Sequence, residues 1–194
     1  NSKGLKTYYP GHPFLDEDYK LDKDKIFLKK HNLKSDDSLL VLLPGSRQQE
    51  INNHWPVFLE TIFLLKEKFP SLRFCLVKSN NVIIKNIPDF IIIESSVTNA
   101  LKHGTAAISS SGTVNLECAL AEIPTIVCYK TSYINWMIFK IFGKVNFISI
   151  VNLISEEKII PELIQSDMTS KKILPPLLEY LSPCLLYTSP SPRD

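Results

Sequence analysis

The chain has 194 residues, 44% hydrophobic and 22% charged, which is ordinary for a globular protein and long enough for one α/β domain with its own core. Its net charge of +2 gives no electrostatic reason to expect a nucleic-acid partner. The 4 cysteines lack C-x-x-C spacing, which argues against a zinc site or a disulfide framework and fits a reducing, cytoplasmic setting; no apolar run approaches the ~20 residues of a membrane span.

The opening stretch, NSKGLKTYYPGHPFLDEDYK, is polar, has no signal-peptide character and lacks an initiator Met. It reads as the interior of a longer protein, with residues 1–37 as a linker before the folded core. SLLVLL (38–43) is a continuous apolar run ending at Pro44 and Gly45, the pattern of a buried parallel strand. Trp55, Phe58, Leu59, Ile62, Leu65 and Phe69 then mark one stripe of a helix, which Pro70 stops. LRFCLV (72–77) and FIII (90–93) are the next strands, followed by a short helix, VTNALKH, and a fourth strand, AAISS (106–110). Leu116, Ala119, Leu120 and Ile123 keep helical spacing up to Pro124, and TIVCY (125–129) is a fifth strand. An aromatic helix, YINWMIFKIFGK (133–144), closes at Gly143, and helical pieces are expected at 161–165 and 170–181. This alternation predicts an α/β fold with a doubly wound parallel sheet over residues 38–183. The tail CLLYTSPSPRD (184–194) has neither period; it resembles a translated sequencing adapter, with a natural Ser/Pro-rich tail as the alternative.

Open sheets of this kind bind ligands beyond the carboxyl ends of their strands. Two segments with suitable chemistry fall there. In SSSGTVNLE, Gly112 permits a tight turn and close backbone approach, and Ser111 and Thr113 place hydroxyls where a helix N-terminus attracts anions. Glu117, four residues beyond Thr113, faces the same side; a carboxylate there would repel phosphate but could accept bonds from sugar hydroxyls. The alternative is Ser111 as an ordinary N-cap and Glu117 as a solvated helix acid. In LLPGSRQQE, Gly45 and Ser46 form a turn after a buried strand, and Arg47 supplies a planar cation suited to phosphate, or else a plain surface charge. Neither a P-loop nor a G-x-G-x-x-G fingerprint is present, so the pair points to a sugar-nucleotide rather than a nicotinamide cofactor. His31, His54 and His103 are scattered and read as surface or capping residues.

LLVLLPGSRQQEI, SSGTVNLECALAEIPTIVCYK, WMIFKIF and FISIVNLIS…IIPELIQ follow one another in an order that resembles the lipid-A-disaccharide synthase family. YPGHPFLDE is similar to its Gly-His-Pro/Thr linker, so the resemblance spans about residues 9–181. It implies a Rossmann-like C-terminal domain of a glycosyltransferase-B fold that holds a UDP-diacylglucosamine donor. The implied reaction transfers the diacylglucosamine to an acylated glucosamine phosphate acceptor, giving a lipid A disaccharide 1-phosphate. Carried over by position, Gly45, Ser46 and Arg47 lie near the diphosphate, Ser111, Gly112 and Thr113 cradle it, Glu117 binds ribose, and Asn152 and Gln165 stand near the donor. No metal or other cofactor is implied.

The chain departs from the family pattern in several places. Ile150-Val151-Asn152 stands for the usual Leu-Pro-Asn, Lys130 for a common Arg, and the stretch 79–89 is short enough to lose a helix. The acceptor domain, where the general base is expected, and the final helices are missing, so the chain reads as a fragment inactive alone. The apolar stretch from Tyr133 to Lys144 is read as core or interdomain surface, with a peripheral membrane patch on the inner face of the inner membrane as the second reading. A UDP-N-acetylglucosamine 2-epimerase of the same fold and a nucleotide-binding module without chemistry are the competing functions.

Overall fold

The computed structural model describes residues 25–110, 112–132, 136 and 147–185. Ser111, the stretch 133–144 apart from Trp136, the start of the linker and the tail from 186 onward lie outside the described residues. In chain order the elements are α1 (Lys25–Lys30), β1 (Leu39–Leu43), α2 (Gln48–Lys68), β2 (Arg73–Val77), β3 (Ile91–Glu94), α3 (Val97–His103), β4 (Ala106–Ser109), α4 (Val114–Leu120), β5 (Thr125–Tyr129), α5 (Ile150–Ser155), β6 (Glu162–Ile164) and α6 (Ser170–Leu185).

The described strands form one parallel sheet in the order β3-β2-β1-β4-β5-β6. All five residues of β1 are buried, as the apolar run requires of a central strand covered on both faces. Period-two alternation divides its side chains: Leu40 and Leu42 join Phe58, Ile62, Leu65, Ile173 and Leu177 under α2 and α6. Leu39, Val41 and Leu43 join Phe27, Leu101 and Cys118 under α1, α3 and α4 on the opposite face. The chain builds outward from β1 through β2 to β3, then returns to place β4 on β1's other side. The crevice between β1 and β4 is therefore the point where the winding reverses.

Several expectations need correction. Residues 161–165, expected to be helical, contribute β6, a sixth strand paired to β5 through Val127↔Glu162 and Tyr129↔Ile164 and followed by a 3-10 turn over Gln165–Asp167. The Glu162 carboxylate also ties the start of α5 to this edge strand, accepting from the Ile148 and Ser149 backbone N–H groups. The third strand begins one residue later than expected, leaving Phe90 to pack edge-on against Phe74. In α4 the buried residues are Asn115 and Cys118, whereas Ala119, expected on the core face, is exposed; the helix stops at Leu120, and Glu122 turns left-handed (φ 57°) before Pro124. His54 and His103 are buried, not on the surface. Helix α6 runs on to Leu185, past the point where the expected tail begins.

No helix links β2 to β3. Instead, residues 78–90 lie as a loop along α2, with Val82 and Ile84 buried in the same cluster as Phe58. Gln48 fixes this loop from both directions, accepting from the Ile83 N–H at 2.8 Å and donating to its carbonyl at 2.9 Å. The Trp55 indole donates to the Lys85 carbonyl at 3.0 Å.

Candidate functional site

A cleft of about 810 Å³ opens at the β1/β4 crevice. Gly45, Ser46 and Arg47 form one lip; Gly112, Thr113 and Glu117 form the other. Leu43 and Ser110 lie at its base, and Lys78, Asn80 and Asn81 of the β2–β3 loop, Ser95 after β3 and Tyr129 at the end of β5 complete the lining. The two turns singled out from the sequence thus converge on one cavity although more than sixty residues separate them in the chain.

The first lip is a strand-to-helix turn. Gly45 has φ 122°, a value that side chains disfavour, and a Cβ there would collide with Glu50, whose own Cβ would lie 2.8 Å away. Glu50 occupies this space because its carboxylate reaches back over the first turn of α2 to accept from the Ser46 N–H at 3.2 Å. The reach resembles that of a capping-box glutamate and satisfies a donor next to the helix start. Arg47 is the N-cap residue in extended conformation (φ −111°, ψ 141°). Its guanidinium is exposed, and no hydrogen bond or ion pair ties it to another described residue. Among the described residues, nothing competes with an incoming anion for this cation.

The second lip rests on a buried polar pair. The Ser109 hydroxyl donates to the Asn115 amide oxygen at 2.5 Å, and the Ser110 N–H donates to the Leu43 carbonyl at 2.7 Å, stitching β4 to β1 directly below the cleft. Gly112 has φ 133°, yet a Cβ there would meet nothing within 4 Å; backbone conformation alone demands glycine. Thr113 is exposed at the start of α4, and its hydroxyl makes no cap bond. Glu117 lies one turn further on the same side and faces the cavity.

Asn152 and Gln165 are placed elsewhere. Asn152 is buried, donates to the Ile160 carbonyl and the Glu162 carboxylate, and accepts from the Ile159 and Ile160 N–H groups, so its amide is fully used in shaping the loop before β6. Gln165 accepts from the Thr131 N–H at 3.1 Å and so fixes the chain just after β5. Sequence reasoning missed Glu50, Tyr129, the loop residues Lys78 to Asn81, and a buried link beneath the first lip. There, His54 Nδ1 donates to the Pro44 carbonyl at 2.8 Å and its Nε2 accepts from the Lys130 N–H at 3.0 Å.

Beside the cleft, buried Glu94 anchors the end of β3. Burial pushes its carboxyl up, but N–H bonds from Ser95 and Ser96 and contacts with Lys30 and His31 outweigh that and lower it to about 2. Cys75 and Cys118 are pushed up to about 12 by burial, and Cys128 is also pushed up, so these thiols are core residues without nucleophilic character. Among the described residues no group of His, Cys, Asp or Glu side chains is gathered to hold a metal. No helix among them is long and apolar enough to cross a membrane.

The family profile described as lipid-A-disaccharide synthetase matches residues 1–184. A lipid-A-disaccharide synthase from Coxiella burnetii (strain Dugway 5J108-111) is 31% identical over 186 residues, covering 93% of this chain and 49% of that protein. One from Nitrobacter winogradskyi is 32% identical over 188 residues, covering 92% and 47%. The chain thus spans about half the length of the curated relatives it matches. Among solved structures, the Escherichia coli ADP-heptose heptosyltransferase II aligns with a TM-score of 0.52 over 86% of this chain and 52% of that one. At 12% identity, that likeness concerns the fold alone, and it agrees with the doubly wound sheet expected for one half of a glycosyltransferase-B enzyme.

Proposed function

The chain belongs to the lipid-A-disaccharide synthase family, and we propose that it is the part of such a glycosyltransferase that holds a UDP-sugar donor. The observation that carries this reading is the convergence at the winding reversal of two glycine turns, an arginine unpaired among the described residues and a carboxylate around one cavity. Arg47 and the N-terminal end of α2 favour a diphosphate on the first lip. Glu117, set back on α4, is suited to accept hydrogen bonds from ribose hydroxyls, while Gly112 lets the backbone approach the phosphates. As the glycosidic bond to UDP breaks, negative charge grows on the leaving diphosphate, where Arg47 and backbone N–H groups would stabilise it.

The donor in this reading is UDP-diacylglucosamine and the acceptor an acylated glucosamine phosphate, joined to give a lipid A disaccharide 1-phosphate. The acceptor site and the general base belong to the part of the enzyme that this chain does not span. Acylated substrates would give the stretch 133–144 a place against a lipid surface; Trp136→Glu should then reduce sedimentation with anionic liposomes. A full-length protein containing this chain, supplied with UDP-diacylglucosamine and the acylated acceptor, should release UDP and form disaccharide. Interconversion of UDP-N-acetylglucosamine epimers instead would establish the 2-epimerase reading.

A further inference from the structure

We propose that His54 is a positioning residue for the cleft: as a neutral imidazole protonated on Nδ1, it holds the Pro44–Arg47 turn at a fixed distance from the end of β5, and a second proton on the ring would part the two. The inference rests on the nucleotide reading only for which ligand reports the effect.

The two hydrogen bonds admit one protonation state. The Pro44 carbonyl can only accept, so Nδ1 must carry hydrogen; the Lys130 backbone N–H can only donate, so Nε2 must present its lone pair. A hydrogen on Nε2 would face another donor across 3.0 Å. The ring has 0% exposure, so water cannot substitute for either partner. Burial is the main influence that pushes the imidazole below its ordinary value of 6.5. The charged groups facing it are Glu50 from α2, which favours protonation, and Lys130 after β5, which opposes it. The rings of Phe58, at 6.3 Å, and Tyr129, at 6.1 Å, also lie near it.

The link matters for ligand binding because of what each end carries. Pro44 begins the turn that presents Gly45, Ser46 and Arg47. Lys130 follows Tyr129, which also lines the cleft. Asn53, the residue next to His54, donates to the Lys130 carbonyl at 3.1 Å, so α2 holds Lys130 through both its backbone N–H and its carbonyl. Losing the His54 bond leaves Lys130 held to α2 by Asn53 alone, so the first lip loses its tie to the backbone next to Tyr129 while β5 stays paired to β6.

The test combines nitrogen NMR of the histidine ring in the 194-residue chain with UDP titration calorimetry. The imidazole should show the Nδ1-protonated neutral form from about pH 8 down to below the ordinary histidine range, and the Lys130 amide signal should shift when it finally titrates. Across the pH range in which the ring itself is seen to titrate, UDP affinity of the wild type should fall more than that of His54→Gln. That variant keeps one donor and one acceptor but does not titrate, and the titration of UDP itself is common to both. His54→Leu should bind UDP more weakly at either pH. An Nε2-protonated ring, titration at the ordinary value without a Lys130 response, or parallel pH profiles for wild type and His54→Gln would overturn the proposal. Absence of UDP binding at every pH would overturn the nucleotide reading, and the ring and Lys130 signals would still decide on His54. They also decide if His54→Leu fails to fold.

Discussion

Alanine at Gly45 and alanine at Gly112 should have different costs, although both glycines line the same cleft with φ above 120°. Each substitution forces a side chain into a backbone conformation worth about 1–3 kcal/mol of strain. At Gly112 nothing lies within 4 Å of the new methyl group, so strain is the whole effect. At Gly45 the methyl group meets the Glu50 carboxylate and, at 2.8 Å, the Glu50 Cβ, which is fixed to the helix and cannot swing aside. That adds an overpacking cost of about 1–3 kcal/mol. Urea unfolding of the two variants should therefore show a Gly45→Ala loss of about 2–6 kcal/mol against about 1–3 kcal/mol for Gly112→Ala. Adding Glu50→Ala removes the carboxylate but leaves a Cβ, so it should relieve Gly45→Ala in part and Gly112→Ala not at all. Equal losses for the two glycine variants, or no relief from Glu50→Ala, would refute the assigned contact.

Three further outcomes follow from particular bonds. Because the folded-state value of Glu94 is depressed to about 2 from an ordinary 4.5, its contribution is fully present above about pH 4.5 and is lost as pH falls toward 2. Glu94→Gln should lower stability at neutral pH by ~1.5–3 kcal/mol and flatten the urea-midpoint curve across that acid window. Asn152→Ala leaves two backbone N–H groups and the Ile160 carbonyl without their side-chain partner and should cost about 2–3 kcal/mol in thermal or urea unfolding. Gln48→Ala should leave the fold intact and speed hydrogen exchange at the Ile83 amide, since that N–H bonds to the glutamine side chain.

The elements that came through from sequence are those whose burial is uniform. β1 is apolar on both faces and reads as a central strand, and the stripe from Trp55 to Leu65 has a single covered side. β6 was misread because its three residues are half-buried, include Glu162, and are held by partners that no local pattern reveals. The inward face of α4 was misassigned for a related reason: buried Asn115 is polar, and only the Ser109 hydroxyl from β4 explains why it can be inside. At the cleft, Gly45, Arg47, Gly112 and Glu117 were legible because turn chemistry is local. Glu50 was hidden as one acid among the surface residues of a helix. His54 reads from sequence as a surface or capping residue because its second partner, Lys130, lies 76 residues away.

Calorimetric titration of UDP into the chain and into its Arg47→Ala and Glu117→Ala variants tests the donor-site assignment most directly. Losing a charge-assisted hydrogen bond removes ~1.5–3 kcal/mol, so each variant should bind UDP roughly 10- to 150-fold more weakly than the wild type. Unchanged UDP affinity in both variants would contradict the account.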